Sequence, residues 1–298
     1  MMKLHGLLAA VLGSALGLAH AQPVSVVDDH GHTVTLPAPA RRVVSIAPHV
    51  TELLFAAGGG DRVVGAVEYS DYPPAARAIR RVGDNKALDL ETIAALKPDL
   101  IVVWRHGNAQ RQLEKLAQLG VPIYQSEPKR LEQIGPALER LGRLMGTGDA
   151  ARREAQAFDG GLAALRKQYA GRAPVPTFYQ VWRSPLMTLN DTHMVSDVIR
   201  LCGGVNVFGQ LDALVPTLNE EAVLQADPEV ILTAAMGATQ NRQGVADLET
   251  WKRFARLKAV MRGNLYAIDG DLLNRPTPRL LQGAERVCQV LDEARSKR

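Results

Sequence analysis

The chain has 298 residues, of which 46% are hydrophobic and 22% are charged. This composition is globular and excludes collagen-like, coiled-coil and disordered chains, and the length predicts about two domains. The 35 basic and 31 acidic residues give a formal charge of only +4, without blocks of like charge. We therefore expect no nucleic-acid partner and no polybasic membrane anchor.

The N-terminus carries the pattern of a secretory signal peptide over residues 1–21. A weakly basic start is followed by an apolar run at 7–18, and Ala19-His20-Ala21 supplies the small-x-small pattern that signal peptidase accepts. The run is shorter than the roughly 20 residues that span a bilayer as a helix. We predict cleavage near Ala21 and, because no cysteine for a lipid anchor follows, a soluble periplasmic protein.

After the leader, short apolar strands alternate with helices, a pattern typical of parallel sheets covered by helices. Thr51 is predicted to cap the N-terminus of one helix, and Asp89 or Leu90 is predicted to open another. We expect an α/β lobe over residues 22–130. Its predicted strands cover 42–46, 63–67, 100–104 and 121–124, and its predicted helices cover 51–57, 89–97 and 109–119.

Residues 131–172 are helical in pattern and contain no strand signal. Their last part, 150–169, predicts one helix of about 30 Å with Asp149 as its cap. Residues 173–298 form a second α/β lobe. The predicted fold class is therefore α/β, with two Rossmann-like lobes joined by one long helix and a ligand cleft between them at the carboxyl ends of the strands. In the second lobe, predicted strands cover 177–181, 207–208, 230–233 and 265–268, and predicted helices cover 194–201, 220–226, the region near 248–257, and 279–293.

The two halves of the chain also echo each other in sequence. Two ungapped matches occur in the same order, and together they predict two lobes with the same topology. They pair 90–101 with 220–231 at an offset of 130, and Thr51-Glu52 with Ser196-Asp197 and Gly58-Gly59 with Gly203-Gly204 at an offset of 145.

The chain contains two cysteines, Cys202 and Cys288. Two thiols exported together into an oxidising compartment usually pair, so a disulfide is expected. The alternative is two buried thiols that act as small apolar side chains. A redox or nucleophilic cysteine is not favoured, because there is no C-x-x-C motif and no histidine close by in sequence.

Three segments of the chain are distinctive: Tyr-Ser-Asp-Tyr-Pro-Pro at 69–74, Trp-Arg-x-Gly-Asn-Ala at 104–109 and Lys-Pro-Asp at 97–99. The first two resemble, more particularly than the third, the periplasmic cobalamin-binding proteins of ABC importers (BtuF-type), whereas the third is shared with haem and siderophore binders. The resemblance covers nearly the whole mature chain. It implies a disulfide within the second lobe and a small opening motion. It also implies capture of cobalamin for delivery to an inner-membrane permease dimer with its ATPase subunits.

Cobalamin is a broad, flat corrin edged with amides, and it carries an axial nucleotide with a phosphate. Its binder therefore needs aromatic faces and scattered hydrogen-bonding groups. A structural role is the alternative for each candidate: Trp104 packed into the core, for example, or Arg105 and Asn108 capping the following helix. The candidate ligand contacts are Tyr69, Tyr72, Trp104, Arg105, Asn108, Trp182, Asp271 and Arg275.

Glu91 and Glu221 occupy equivalent positions in the two repeats, near the starts of helices. The helix dipole favours a carboxylate there, so a purely structural role is the alternative. The resemblance implies that these two glutamates dock into arginine-rich pockets of the permease, one from each lobe.

At two places the chain lacks tryptophans that related chains carry, and these differences leave open a ligand other than cobalamin. Related chains often carry a tryptophan where this chain has Asn85-Lys86, and another where it has Leu272-Leu273. The smaller aromatic surface admits haem or a ferric siderophore as the alternative ligand. A haem iron would need an axial tyrosine or histidine. The residues available for that role are Tyr69, Tyr72, His106 and His193.

Metal binding and catalysis are not favoured by the sequence. His30 and His32 form a two-ligand pattern, but a zinc or manganese site needs three or four convergent ligands, which the sequence does not assemble. The motifs G-x-S-x-G, H-E-x-x-H and G-x-x-x-x-G-K are absent. We expect a binding protein, monomeric when free, with no catalytic residue, metal or catalytic cofactor; a periplasmic enzyme is the less favoured alternative.

Overall fold

The structure, a computed structural model, describes residues 22–84, 86–235 and 244–298. The predicted signal peptide over residues 1–21 lies outside these ranges, as does Asn85. Among the residues described, no helix combines the length and the apolar character needed to cross a membrane.

The first lobe is a parallel sheet preceded by a hairpin that the sequence analysis did not predict. The hairpin pairs β1 (Val24–Val27) with β2 (Thr33–Leu36). The sheet has five strands in the order β5-β4-β3-β6-β7, and every neighbouring pair is parallel. Its strands are β3 (Val43–Ser45), β4 (Val63–Ala66), β5 (Arg80–Arg81), β6 (Leu100–Val103) and β7 (Ile123–Gln125). Its helices are α1 (Pro48–Ala56), α2 (Leu90–Ala95) and α3 (Gln110–Ala117), with 3-10 turns at Gly60–Arg62 and Pro74–Ala78.

Two consecutive helices connect the lobes, α4 (Ile134–Met145) and α5 (Gly148–Tyr169), after a 3-10 turn at Leu131–Gln133. The 22 residues of α5 form the long helix that the sequence predicts. Its predicted cap is wrong: the N-cap residue is Thr147, whose hydroxyl donates to the carbonyl of Ala57 (2.7 Å), and Asp149 lies in the first turn. The side chains that α5 buries belong to an apolar core shared by both lobes, so the connection is stiff.

The second lobe contains a four-stranded parallel sheet in the order β11-β8-β12-β13. A short antiparallel pair, β9 with β10, follows β8. The strands are β8 (Val175–Gln180), β9 (Trp182–Arg183), β10 (Leu186–Met187), β11 (Gly204–Asn206), β12 (Val230–Ala235) and β13 (Leu265–Asp269). The helices are α6 (Met194–Leu201), α7 (Glu220–Ala226), α8 (244–249), α9 (Lys258–Met261), α10 (Gly270–Leu273) and α11 (Leu280–Ser296), with a 3-10 turn at Thr250–Arg253.

The lobes share one topology, as the repeat predicts. The order β4-β3-β6-β7 in the first sheet matches β11-β8-β12-β13 in the second. Backbone conformations agree at the paired positions: Lys97 and Asp227 have φ of 48° and 43°, and Gly58 and Gly203 have φ of 81° and 72°. Such left-handed conformations terminate the preceding helices in both lobes. The predicted α/β fold with two lobes is confirmed.

Some predicted boundaries are wrong. Thr51 does not cap α1; it lies within the helix, where its buried hydroxyl is hydrogen-bonded to that of Ser45 (2.8 Å). The strand predicted at 207–208 lies earlier, as β11, and the helix predicted near 248–257 is divided among α8, a 3-10 turn and α9. The expected disulfide is present: Cys202, at the end of α6, is bonded to Cys288 in α11.

Candidate ligand-binding cleft

The exposed aromatic side chains gather at the carboxyl ends of the strands. Among the residues that the structure describes, four large aromatic side chains are exposed, and the other ten are buried or half-buried. All four follow a strand of one of the two parallel sheets or its short extension. Because strand ends of such sheets border the ligand cleft, this placement is that of a binding surface. The exposed fractions are 76% for Tyr69, 41% for Tyr72, 38% for Trp104 and 58% for Trp182.

Tyr69 projects from a constrained loop after β4. Its φ of 63° lies in the left-handed region, which is uncommon for a residue other than glycine. The next residue, Ser70, is buried and anchored: Thr51 donates to its hydroxyl (3.0 Å) and Arg81 donates to its carbonyl (2.9 Å). These bonds fix the loop so that the tyrosine ring faces solvent, and strain of this kind is characteristic of ligand sites.

Tyr72 lies where the two lobes meet. The guanidinium of Arg279, from the second lobe, stacks on its ring with 3.7 Å between the carbon centre and the ring centroid. A cation so close to the ring face is attracted by the π electrons. Tyr72 is therefore partly covered, and it offers a ligand less surface than Tyr69 does.

Trp104 directly follows β6 and rests edge-on against the buried imidazole of His49, with the ring centroids 5.1 Å apart. Asn108 holds this loop in place: its amide donates to the carbonyl of Ile46 (3.0 Å), and its side-chain oxygen accepts from the backbone nitrogen of Trp104 (3.0 Å). Asn108 was predicted as a ligand contact, but its side chain serves the loop. Arg105 is exposed and makes no hydrogen bond or ion pair within the part of the chain that the structure describes.

Trp182 lies just beyond the carboxyl end of β8 in the second lobe, in the short strand β9. Its indole nitrogen donates to the carbonyl of Ser184 (2.9 Å), which fixes the ring while leaving its faces exposed. The extension of β8 into the β9–β10 pair thus presents a rigid aromatic surface.

Arg275 and Asp271, both predicted as ligand contacts, belong to an ion-pair cluster between the lobes. The buried Arg275 pairs with Glu52 of α1 (2.7 Å) and with Asp271 (2.8 Å). Glu52 also accepts from the hydroxyl of Thr277 (3.1 Å) and from Arg279 (2.6 and 2.9 Å). Arg275 is therefore committed to holding the lobes together, whereas Asp271 is partly exposed. Burial raises the pKa of Asp271.

Two buried polar neighbours of the cleft, Glu52 and His49, were not predicted from the sequence. The alignment of Glu52 with Asp197 in the repeat placed an acidic residue on the apolar face of both first helices, and that was the available signal. For His49, burial and the nearby charge of Arg275 lower the pKa to about 3. The imidazole beside Trp104 is therefore neutral at physiological pH.

Glu91 and Glu221 occupy the same position in the first turns of α2 and α7. Each helix is capped alike: Asp89 accepts from the backbone nitrogen of Thr92, and Asn219 accepts from that of Ala222, both at 2.9 Å. Both glutamates are exposed and form no ion pair among the residues that the structure describes. The neighbouring Glu220, in contrast, is paired with Arg183 and Arg253. At this repeated position, each lobe thus presents an unpaired carboxylate.

Three of the four residues considered as axial haem ligands are engaged within the protein. His193 caps α6 by accepting from the backbone nitrogen of Val195 (3.1 Å), and burial lowers its pKa to about 4. His106 is in contact with Glu127 (2.5 Å) rather than with the exposed aromatic rings. Tyr72 lies under Arg279, which leaves Tyr69 as the candidate with a free side chain.

The two lobes share one topology, a stiff helical connection joins them, and aromatic rings border the cleft. This combination is typical of periplasmic binding proteins. The family model described as "Periplasmic binding protein" matches residues 43–272, and the chain belongs to this family. Within it, the chain groups with the BtuF-type vitamin B12-binding proteins. It is 40% identical over 262 residues to the vitamin B12-binding protein of Vibrio cholerae, covering 88% of this chain and 92% of that protein. It is 37% identical to the protein of the same name from Yersinia pestis, covering 87% and 89%.

Solved structures give the same grouping. The periplasmic vitamin B12-binding protein BtuF of Vibrio cholerae superposes with a TM-score of 0.78 at 41% identity, covering 86% of this chain and 98% of that one. The periplasmic haem-binding protein BhuT has a TM-score of 0.75 at 24% identity, covering 85% and 98%. The second likeness shows the shared fold alone.

Proposed function

We propose that the protein captures cobalamin in the cleft between its lobes and delivers it to an inner-membrane ABC importer. The observation that carries the proposal is the placement of every exposed aromatic ring of the described chain at strand ends bordering the cleft. A flat macrocycle buries apolar area against such faces. Kinship with vitamin B12-binding proteins at 40% identity supports cobalamin as that macrocycle.

The rings of Tyr69, Trp104 and Trp182 are the proposed stacking surfaces. Arg105 and Asp271 are the proposed polar contacts for corrin amides, since Arg105 has no partner within the described residues and Asp271 is partly exposed. Tyr72 remains a proposed edge contact beside Arg279. Asn108 and Arg275 act indirectly, because their side chains are engaged within the protein.

Cyanocobalamin binding tests the ligand. The purified chain, freed of bound ligand, should retain the vitamin through desalting. Replacing either tryptophan, Trp104→Ala or Trp182→Ala, should weaken binding about 10-fold or more, because buried aromatic anchors dominate such sites. The control is Met261→Ala, which removes an exposed apolar side chain of α9 and should leave affinity unchanged. Retention of haem instead of cobalamin would overturn the assignment in favour of the alternative ligand.

We further propose that the protein releases the bound vitamin without altering it chemically. The family consists of substrate-binding proteins, and the exposed groups of the cleft are aromatic faces and single charges rather than a nucleophile held by a base. The absorption spectrum and mass of cyanocobalamin recovered after prolonged incubation should match those of the input. A modified product would instead assign an enzymatic activity.

Glu91 and Glu221 are the proposed contacts with the transporter. Their unpaired carboxylates stand on equivalent helices of the two lobes, where they are suited to arginine pockets on the two halves of a permease dimer. Docking through such contacts should weaken as ionic strength rises. The periplasm is the compartment that this role and the family require.

The docking proposal is tested with the reconstituted importer. The double variant Glu91→Ala, Glu221→Ala should lose association and uptake while keeping its affinity for cobalamin. The matched control is Glu139→Ala, Glu285→Ala, which removes two other exposed carboxylates and changes net charge equally. If the double variant of Glu91 and Glu221 still associates with the importer, the proposal is contradicted. If it loses cobalamin binding, the two glutamates act in ligand binding instead.

A further inference from the structure

Three side chains with metal-binding atoms converge on one edge of the first lobe. His30 lies in the turn between β1 and β2, His106 lies in the loop after β6, and Glu127 follows β7. The Nε2 atom of His30 is 2.7 Å from Oε2 of Glu127, and the Nδ1 atom of His106 is 2.6 Å from the same oxygen. One ligand atom from each residue falls within 4.8 Å of the others.

We propose that these three residues form a binding site for a divalent transition metal, Zn²⁺ in particular. Two imidazole nitrogens and one carboxylate, with water as the fourth ligand, are a donor set that zinc takes in tetrahedral geometry. Bonds of about 2.0–2.1 Å place tetrahedral ligand atoms about 3.3 Å apart. Each imidazole nitrogen therefore needs to move away from the Glu127 oxygen by less than about 1 Å to admit the ion.

The backbone around the site is already held in place by two aspartates. Asp28 accepts from the backbone nitrogen of His30 (2.9 Å), and Asp29 accepts from that of Glu127 (2.6 Å). Asp29 is in turn paired with Arg140 of α4. These bonds hold the backbone of the hairpin and of the strand end in place before any metal binds, which lowers the conformational entropy that metal binding must cost.

Exposure at the site suits an ion arriving from solvent. His30 and Glu127 are mostly covered by protein, whereas His106 is exposed and can move to close over the metal. The neighbouring His32 is not part of the cluster: its ring lies 3.5 Å from Asp28 and from the amide of Gln125. The pair His30-x-His32 that the sequence suggested is therefore not the site, and only His30 contributes to it.

A metal here would join the hairpin to the loop that begins at Trp104. His106 is two residues from that ring, and the loop is otherwise held by Asn108. Coordination of His106 by the metal would restrain the loop from its exposed side. Zinc binding at this site is independent of the organic ligand that the cleft takes, because none of the three residues belongs to the proposed stacking surface.

The test uses the full chain, exported and purified without a histidine tag and stripped with EDTA. Calorimetric titration with ZnSO₄ should give one zinc per chain, and X-ray absorption at the zinc edge should show nitrogen and oxygen donors without sulfur. Either His106→Ala or Glu127→Gln should weaken binding by at least about 10-fold. The matched control, His32→Ala, removes an adjacent exposed imidazole and should leave affinity unchanged.

Two readouts separate lost ligands from lost folding. Without zinc, His106→Ala should melt at the temperature of the wild type, because the side chain it removes is exposed. Zinc should raise the melting temperature of the wild type and of His32→Ala, and at the same zinc concentration it should raise that of His106→Ala by less. The proposal is overturned if zinc does not bind stoichiometrically, if binding is indifferent to His106→Ala, or if His32→Ala weakens it equally.

Discussion

The first helices of the two lobes carry a buried carboxylate at the same repeat position, Glu52 in α1 and Asp197 in α6. Both oxygens of Glu52 are hydrogen-bonded, to Arg275, Thr277 and Arg279. In Asp197, one oxygen is paired with Arg130 and Arg200, and the other is buried with no hydrogen-bond partner in the part of the chain that is described. The repeat preserved the acidic position but not its environment.

This difference shows where the relative position of the lobes is fixed. The arginines that bind Glu52 come from the second lobe and are largely buried, so their charges are poorly screened by solvent. Arg130 and Arg200 are half-exposed, which weakens their attraction for Asp197. Burial accordingly raises the pKa of Asp197. The cluster around Glu52 is the stronger link, and it lies next to Tyr72 in the cleft.

The substitution expected to lower the free energy of unfolding most is Glu52→Gln. The substitution keeps the shape of the side chain but leaves the buried Arg275 and Arg279 without their shared carboxylate. Removing one partner of a buried ion pair costs about 3–5 kcal/mol of the free energy of unfolding. Urea denaturation followed by circular dichroism measures it.

The second-lobe counterpart, Asp197→Asn, is the comparison variant. Its cost should be about 1 kcal/mol or less, because its arginine partners are half-exposed and the charged form of the acid is already disfavoured by burial. Equal losses for Glu52→Gln and Asp197→Asn would show that the two positions are energetically alike and would refute the asymmetry.

Removal of the disulfide should cause the next largest loss of stability, and that loss should be confined to the second lobe. Cys202 and Cys288 enclose 86 positions of chain, and removal of such a bond costs about 2–4 kcal/mol. The counterpart of Cys202 in the first lobe is Ala57, which has no such bond. In the variant Cys202→Ala, Cys288→Ala, amide exchange should accelerate in α6 and α11 but not in α1. Acceleration spread evenly over both lobes would argue against a bond that acts locally.

Acid should destabilise the protein through two histidines at the starts of the equivalent helices. Burial lowers the pKa of His49 to about 3 and that of His193 to about 4, against an ordinary value of 6.5. Between these values the unfolded chain binds more protons, so stability falls as pH drops below about 6.5. Each histidine should account for about 2 kcal/mol between pH 6.5 and pH 5.

The variant His49→Gln isolates one of these contributions. Its free energy of unfolding, measured by denaturant titration at several pH values, should lose less than that of the wild type as the pH falls from 6.5 to 5. The charge of Arg275 beside His49 adds to burial only in the first lobe. An unchanged slope would mean that His49 titrates normally in the folded protein.

Elements with local signals were predictable from the sequence. Helices α6 and α7 begin and end where the pattern placed them, and α2 opens at Leu90, one of the two positions expected, with Asp89 as its cap. The strand predicted at 207–208 was misplaced because β11 begins at Gly204, which has no side chain to mark a strand. A Cβ there would lie 2.6 Å from Ile199, so close packing against α6 requires the glycine.

The aromatic surface of the cleft was predictable in part, and its neighbours were not. Trp104 and Trp182 follow apolar strands, so their position at strand ends could be read locally. The partners of Glu52 lie 223 to 227 positions away, and Glu127 lies 97 positions from His30. No local pattern encodes such pairs, because the packing of lobes and hairpin brings them together. The hydrogen bond from Asn108 to the carbonyl of Ile46 was not predictable for the same reason, since the two residues are remote in sequence.

The smallest expected loss of stability concerns the N-caps of α2 and α7. Asp89 accepts from the backbone nitrogen of Thr92 (2.9 Å) and from its hydroxyl (2.6 Å), whereas Asn219 accepts from the backbone nitrogen of Ala222 alone. Asn219→Ala should cost about 0.5–1 kcal/mol, and Asp89→Ala should cost more at neutral pH because its charge also favours the helix N-terminus.

This contrast depends on pH in a defined direction. Hydrogen bonds from the side chain and backbone of Thr92 lower the pKa of Asp89, so its stabilisation is present above its ordinary pKa of 3.8 and is lost as the pH falls through the lowered value. Asn219 does not titrate. Melting temperatures of Asp89→Ala and Asn219→Ala should therefore differ at pH 7 and converge on acidification. A difference that persists at low pH would show that packing, rather than the charge of Asp89, distinguishes the two caps.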